Sequence, residues 1–94
     1  MYIVSLTYTR PMDEVDAVLD AHLAWLDKYF AAGVFIAAGR KDPRTGGVII
    51  ANDIDRERLN TVLLEDAFQA VADYEVTRVN VTRAADEFSA LVGS

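Results

Sequence analysis

Along the first eight residues hydrophobic and polar positions alternate. Tyr2, Val4, Leu6 and Tyr8 stand against Ile3, Ser5 and Thr7, the period of a half-buried strand. Arg10-Pro11 ends it, and Pro11 suits a first helical turn, where no amide donor is needed. Asp13 and Glu14 follow and complement the positive end of a helix. The period then changes. Val15, Val18, Leu19, Leu23, Leu26, Tyr29 and Phe30 recur at helical spacing. This predicts a helix to about residue 32, stopped by Gly33, which can take the left-handed conformation after the last turn.

Residues 34–40 form a second predicted strand, residues 41–46 a turn-rich loop, and residues 47–51 a third strand, together a hairpin. Asn52, Asp53 and Asp55 offer caps for a second helix over residues 56–64, which buries Leu59, Val62 and Leu63. Residues 65–72 give no clear period and fit one irregular turn. Residues 73–83 predict a fourth strand carrying Val76, Val79 and Val81. Residues 84–94 suit a short helix or a docking tail with Phe88, Leu91 and Val92. The order β-α-β-β-α-β predicts an α+β, ferredoxin-like single domain over residues 1–94: one four-stranded antiparallel sheet with both helices on one face. Val34, Ile36, Val48, Ile50 and the valines of the last strand supply apolar residues to both faces. A large bare apolar face is unusual for a monomer, so a homodimer or higher homo-oligomer through the sheet face is expected.

A length of 94 residues with 52% hydrophobic and 26% charged residues allows one folded core and argues against disorder. With no cysteine, neither a disulfide framework nor a thiolate metal site is available. No signal peptide and no run long enough to span a bilayer is evident, so a cytoplasmic location is expected. The net charge of −6 argues against nucleic acid and anionic membranes as partners. Arg40, Lys41 and Arg44 are nevertheless clustered. They suit a solvated hairpin tip or a small-anion site.

One residue breaks the helical pattern chemically. At about 100° per residue, His22 falls beside Val15, Leu19 and Leu26, within the apolar stripe. An imidazole there needs partners for its ring nitrogens. No phosphate-binding glycine motif accompanies it, and a single histidine makes a histidine-rich metal site impossible. No cofactor is expected.

His22-Leu23-Ala24-Trp25-Leu26 resembles the "H-L-x-x-L" of the YCII-related (YciI-like) family. Residues 33–39, Gly-Val-Phe-Ile-Ala-Ala-Gly, resemble its "G-x-(apolar)-x-x-A-G" strand, and Glu65-Asp66-Ala67-Phe68 its "D-P-F/Y" segment. Order and spacing match over nearly the whole chain. The resemblance implies a dimeric α/β barrel fold and a site built on a His–Asp pair, here His22 and Asp66. Two positions depart from the pattern. Ala67 replaces the proline after the aspartate, and Arg40 stands where the family often has proline. One family member is a dehydrochlorinase acting on a chlorinated hydroxyquinol.

Such a pair has its own chemical logic. A carboxylate accepting the Nδ1–H of an imidazole fixes its tautomer and frees the other nitrogen as a general base. Arg40 could hold an anionic substrate or a developing oxyanion, Ser5 could add a hydrogen bond, and Trp25, Tyr8 and Phe68 could wall an aromatic ring. The expected function is cofactor-free acid–base chemistry on a small molecule, as in a lyase, isomerase or dehydrochlorinase. The alternatives are a non-catalytic dimeric module binding a small anionic or aromatic ligand, and an accessory protein that assembles with other chains.

Overall fold

The computed structural model describes residues 1–93; Ser94, the last residue of the expected domain and tail, lies outside the described residues. Strand β1 spans Tyr2–Tyr8, helix α1 Met12–Ala17, helix α2 Leu19–Ala31, β2 Phe35–Arg40, β3 Gly46–Ala51, α3 Arg56–Leu64 and β4 Ala72–Arg78. Single 3₁₀ stretches cover Ala67–Ala70 and Asp86–Leu91. The strands form one antiparallel sheet in the order β2-β3-β1-β4, the ferredoxin-like arrangement.

The alternation in β1 buries Tyr2, Val4 and Leu6 beneath the helices. They join Ile49 of β3, Trp25 and Tyr29 of α2, and Leu59, Val62 and Leu63 of α3 in one core cluster. The i, i+3, i+4 spacing on α3 is what brings its three residues to one face. Leu59 is wholly buried, and burial of a leucine stabilises by about 1.5–3 kcal/mol. At the far end of the sheet, backbones approach closely. A Cβ on Gly46 would lie 1.7 Å from the carbonyl oxygen of Leu6, so only glycine allows β3 to reach β1 there.

Three expectations are corrected. The first helix is not continuous: Val18, at φ −111°, ψ 7°, divides α1 from α2. Gly33 does end α2 with φ +75°. The fourth strand stops at Arg78, opposite Tyr2, rather than at residue 83; past it, Met1 and Val79 exchange two hydrogen bonds, the Val79 amide donating to the Met1 carbonyl at 2.8 Å and the Met1 amino group to the Val79 carbonyl at 3.3 Å. The valines of the last strand therefore do not furnish both faces. Val76 packs against the core, while Val79 and Val81 lie beyond the strand. The uncovered face carries Ile3, Val48 and Ile50, but on β4 it carries Asp73, Glu75 and Thr77, as the register with Ile3, Ser5 and Thr7 requires. Of the residues expected as a short helix or docking tail, 86–91 form a 3₁₀ stretch in which Phe88 is exposed and Leu91 half-buried, and Val92 after it is exposed. Among the described residues no helix is long and apolar enough to cross a membrane.

Candidate active site

Two adjoining faces of α2 do different work. The most deeply buried residues of the helix are His22, Trp25 and Tyr29, offset around the axis from the leucine stripe. Leu19, Leu23 and Leu26 instead line a cavity of about 250 Å³ between α2 and the β2–β3 end of the sheet. His22 sits at the seam between core and cavity, and belongs to both.

Three tethers hold α2 in register with the end of α3. The Trp25 indole N–H donates to the Val62 carbonyl at 2.9 Å. Lys28 Nζ donates to Glu65 at 2.9 Å, and the Tyr29 hydroxyl donates to the other oxygen of the same carboxylate. The Tyr29 and Lys28 hydrogen bonds, in that order, hold the Glu65 carboxyl below the usual carboxylate range. Asp66 follows directly and is thereby carried to His22.

Asp66 Oδ1 lies 2.7 Å from His22 Nδ1. The same oxygen accepts the Phe68 amide at 3.0 Å and so caps the 3₁₀ turn Ala67–Ala70. Oδ2 accepts the Tyr74 hydroxyl at 2.5 Å. The carboxylate is completely buried, and its hydrogen bonds meet the need that burial of a charge imposes. Burial, followed by the hydrogen bond to Asp66, pushes the Tyr74 phenol well above its usual value. Phe68 lies on the imidazole with centroids 3.7 Å apart and planes 2° apart. The other ring nitrogen, Nε2, has no partner among the described residues, yet it is not sealed: the only fully buried side-chain polar atom left unpartnered is Nε of Arg44. His22 and Phe68 both line the cavity; the Asp66 side chain lies behind them.

The sequence candidates divide accordingly. His22, Asp66 and Phe68 come together, and Arg40 and Tyr8 join them along the cavity. Trp25 packs beside the His22 ring, centroids 5.6 Å apart, but does not line the cavity, because it is buried against Tyr29 and Phe35. Ser5 does not either, because it alternates with Leu6 and faces the uncovered side of the sheet, opposite Val48 and Glu75. Tyr74 was missed. Its signal was its place on β4 opposite Leu6, which puts a hydroxyl on the core side where it must find an acceptor. Among the described residues no group of three or more histidine, aspartate or glutamate side chains is gathered as a metal site would need.

Fold and site together define a small ferredoxin-like α+β domain with a buried histidine–carboxylate pair at the inner wall of a cavity. Residues 1–82 match the model of the YCII-related domain, and the chain belongs to that family. No individual curated protein matches it. Among solved structures, the chain is similar to 5-chloro-2-hydroxyhydroquinone dehydrochlorinase (TftG) from Burkholderia phenoliruptrix AC1100, in complex with 2,5-dihydroxybenzoquinone. The TM-score is 0.66 at 20% identity, covering 84% of this chain and 93% of that one. At that identity the likeness establishes a common fold.

Proposed function

We propose that this protein is a cofactor-free enzyme that moves a proton on a small molecule, with His22 as the acid–base group and Asp66 as its orienting partner. The observation that carries this is the 2.7 Å contact between His22 Nδ1 and Asp66, with Nε2 unpartnered beside a cavity. With Nδ1–H donating to the carboxylate, Nε2 keeps the lone pair and can accept a proton. The positive charge that then develops on the imidazole is stabilised by Asp66. Tyr74 and the Phe68 amide hold that carboxylate in one orientation, so little reorganisation accompanies the transfer. Arg40, at the cavity, is suited to an anionic substrate or an oxyanion formed when a proton leaves carbon beside a carbonyl. Loss of a leaving group, as in a lyase or dehydrochlorinase, or reprotonation elsewhere, as in an isomerase, would complete the reaction. The fold shared with a dehydrochlorinase supports this choice of chemistry.

The test is a panel of small carbonyl acids and halogenated phenols, followed for deuterium uptake from heavy water and for halide release. The wild type should act on a member of the panel, and His22→Asn should lower that rate by about 10²–10⁴-fold. Equal rates in the two proteins would instead support a binding module. The reading includes a homodimer formed through the uncovered sheet face, with the site on the opposite side left free.

A further inference from the structure

Three donors share the buried carboxylate of Asp66. Oδ1 accepts His22 Nδ1–H at 2.7 Å and the Phe68 amide at 3.0 Å, and Oδ2 accepts the Tyr74 hydroxyl at 2.5 Å. The last distance is that of a charge-assisted O–H···O⁻ bond. The Asp66 side chain has no exposed surface, so water takes no part in this sharing. The two bonds to Oδ1 already tie the carboxylate to α2 and to the 3₁₀ turn, and a third donor on the other oxygen has a further effect. Every donor to a carboxylate stabilises its charge, and thereby lowers its pull on the proton of each other donor. Burial, and then Asp66, raise the Tyr74 phenol, so the hydroxyl keeps its proton and remains a donor through the neutral range.

Among the described residues only His22 and Tyr74 bond the Asp66 carboxylate through their side chains. The other charged and titratable groups around the imidazole, Arg40, Arg44 and Tyr8, line the cavity, whereas Asp66 lies behind the ring. Arg44 is held by Asp16 at 3.1 Å, and Glu65, next to Asp66, is engaged by Lys28 and Tyr29.

We propose that Tyr74 is a positioning residue that sets the base strength of His22. By holding part of the Asp66 charge on Oδ2, it limits how far Oδ1 draws the Nδ1 proton, and so how electron-rich Nε2 becomes. Too strong a pull would leave Nε2 carrying a proton from water before a substrate arrives. This deepens the acid–base reading and rests on it only for the consequence for turnover; the sharing of the carboxylate is measured without a substrate.

The NMR signal of the Nδ1 proton, recorded cold and at a pH where the ring is neutral, moves downfield as its bond to Asp66 strengthens. The chain has one histidine, so the signal is unambiguous. In Tyr74→Phe it should move downfield, because the whole charge of Asp66 is then left to Oδ1. Replacing Tyr74 with a difluorinated tyrosine, a stronger donor of nearly the same size, should move it upfield. The sign separates this role from a merely structural one: if Tyr74 only held Asp66 in place, its loss would slacken the contact and move the signal upfield, as Asp66→Asn should. An upfield or unchanged signal in Tyr74→Phe would overturn the proposal. Should Tyr74→Phe fail to fold, the fluorinated side chain decides, and a signal that does not move upfield refutes it. A protein with no turnover on any substrate would remove the acid–base reading and leave these shifts as they are.

Discussion

The ring of Phe68 lies flat on the imidazole of His22, with 3.7 Å between centroids and 2° between planes. Because the Phe68 amide also donates to Asp66, one residue fixes the plane of the imidazole and the position of its partner. Phe68→Ala should cost about 3–5 kcal/mol, as expected for loss of a buried phenylalanine, and should free the His22 ring to turn. Phe68→Leu keeps more of the packing but not the stack. Urea unfolding measures the first effect, and the line width of the single histidine ring in NMR spectra measures the second. A rigid ring in both variants would show that the stack is incidental.

Removal of the carboxylate is expected to be more damaging than its size suggests. Asp66→Ala leaves the His22, Phe68 and Tyr74 donors without their acceptor. The expected loss is at least about 3 kcal/mol, because each buried donor left unsatisfied costs about 1–3 kcal/mol. Tyr74→Phe removes a single donor and keeps the ring, and should cost about 0.5–1.5 kcal/mol. Chemical denaturation of both variants checks the order; a larger loss in Tyr74→Phe than in Asp66→Ala would contradict the assignment.

Two groups predict how stability varies with pH. The Tyr74 phenol is pushed up by burial and then by Asp66, so the unfolded chain gives up this proton first. Its contribution is complete below the unfolded value of about 10 and declines above it. Tyr74→Phe should therefore flatten the alkaline decline in stability. Glu65 is held low by Tyr29 and then Lys28. Its contribution is present above the unfolded value of about 4.3 and is lost as the pH falls through the lower, folded one. Glu65→Gln should flatten the acid limb. Urea midpoints across the pH range check both, and unaltered profiles would mean that these contacts do not persist in solution.

The proposed dimer makes a separate prediction. Ile3, Val48 and Ile50 share the uncovered sheet face, so sedimentation should give about twice the chain mass of 10.4 kDa. Ile50→Lys should shift it towards the monomer. A monomer at every concentration of wild-type protein would remove the dimer from the account.

Much of the fold was legible because local patterns and tertiary demands agree. Residues 56–64 carry their burial at helical spacing, and α3 has those bounds. Strand β4 was overextended because its length is set by where β1 begins, which is a fact of pairing and not of residues 79–83. His22 was visible as a polar residue in an apolar stripe. The leucines beside it were expected in the core, yet they overhang a cavity; periodicity marks an apolar face without saying whether that face is filled. Asp66 could be chosen among the acidic residues only by resemblance, since its partner is 44 positions away. Trp25 and Ser5 show the same limit in reverse. The sequence supplied their chemistry, while the phase of α2 and the alternation of β1 kept them off the cavity wall.

The chain contains one histidine, so a long-range proton–nitrogen NMR correlation of its ring reports the central contact with no ambiguity of assignment. At a pH where the imidazole is neutral, the proton should reside on Nδ1, directed at Asp66, with Nε2 showing the shift of a bare lone pair; Asp66→Asn should disturb that preference. A wild-type ring protonated on Nε2 instead would contradict the account, because the nitrogen assigned to take the substrate's proton would already carry one.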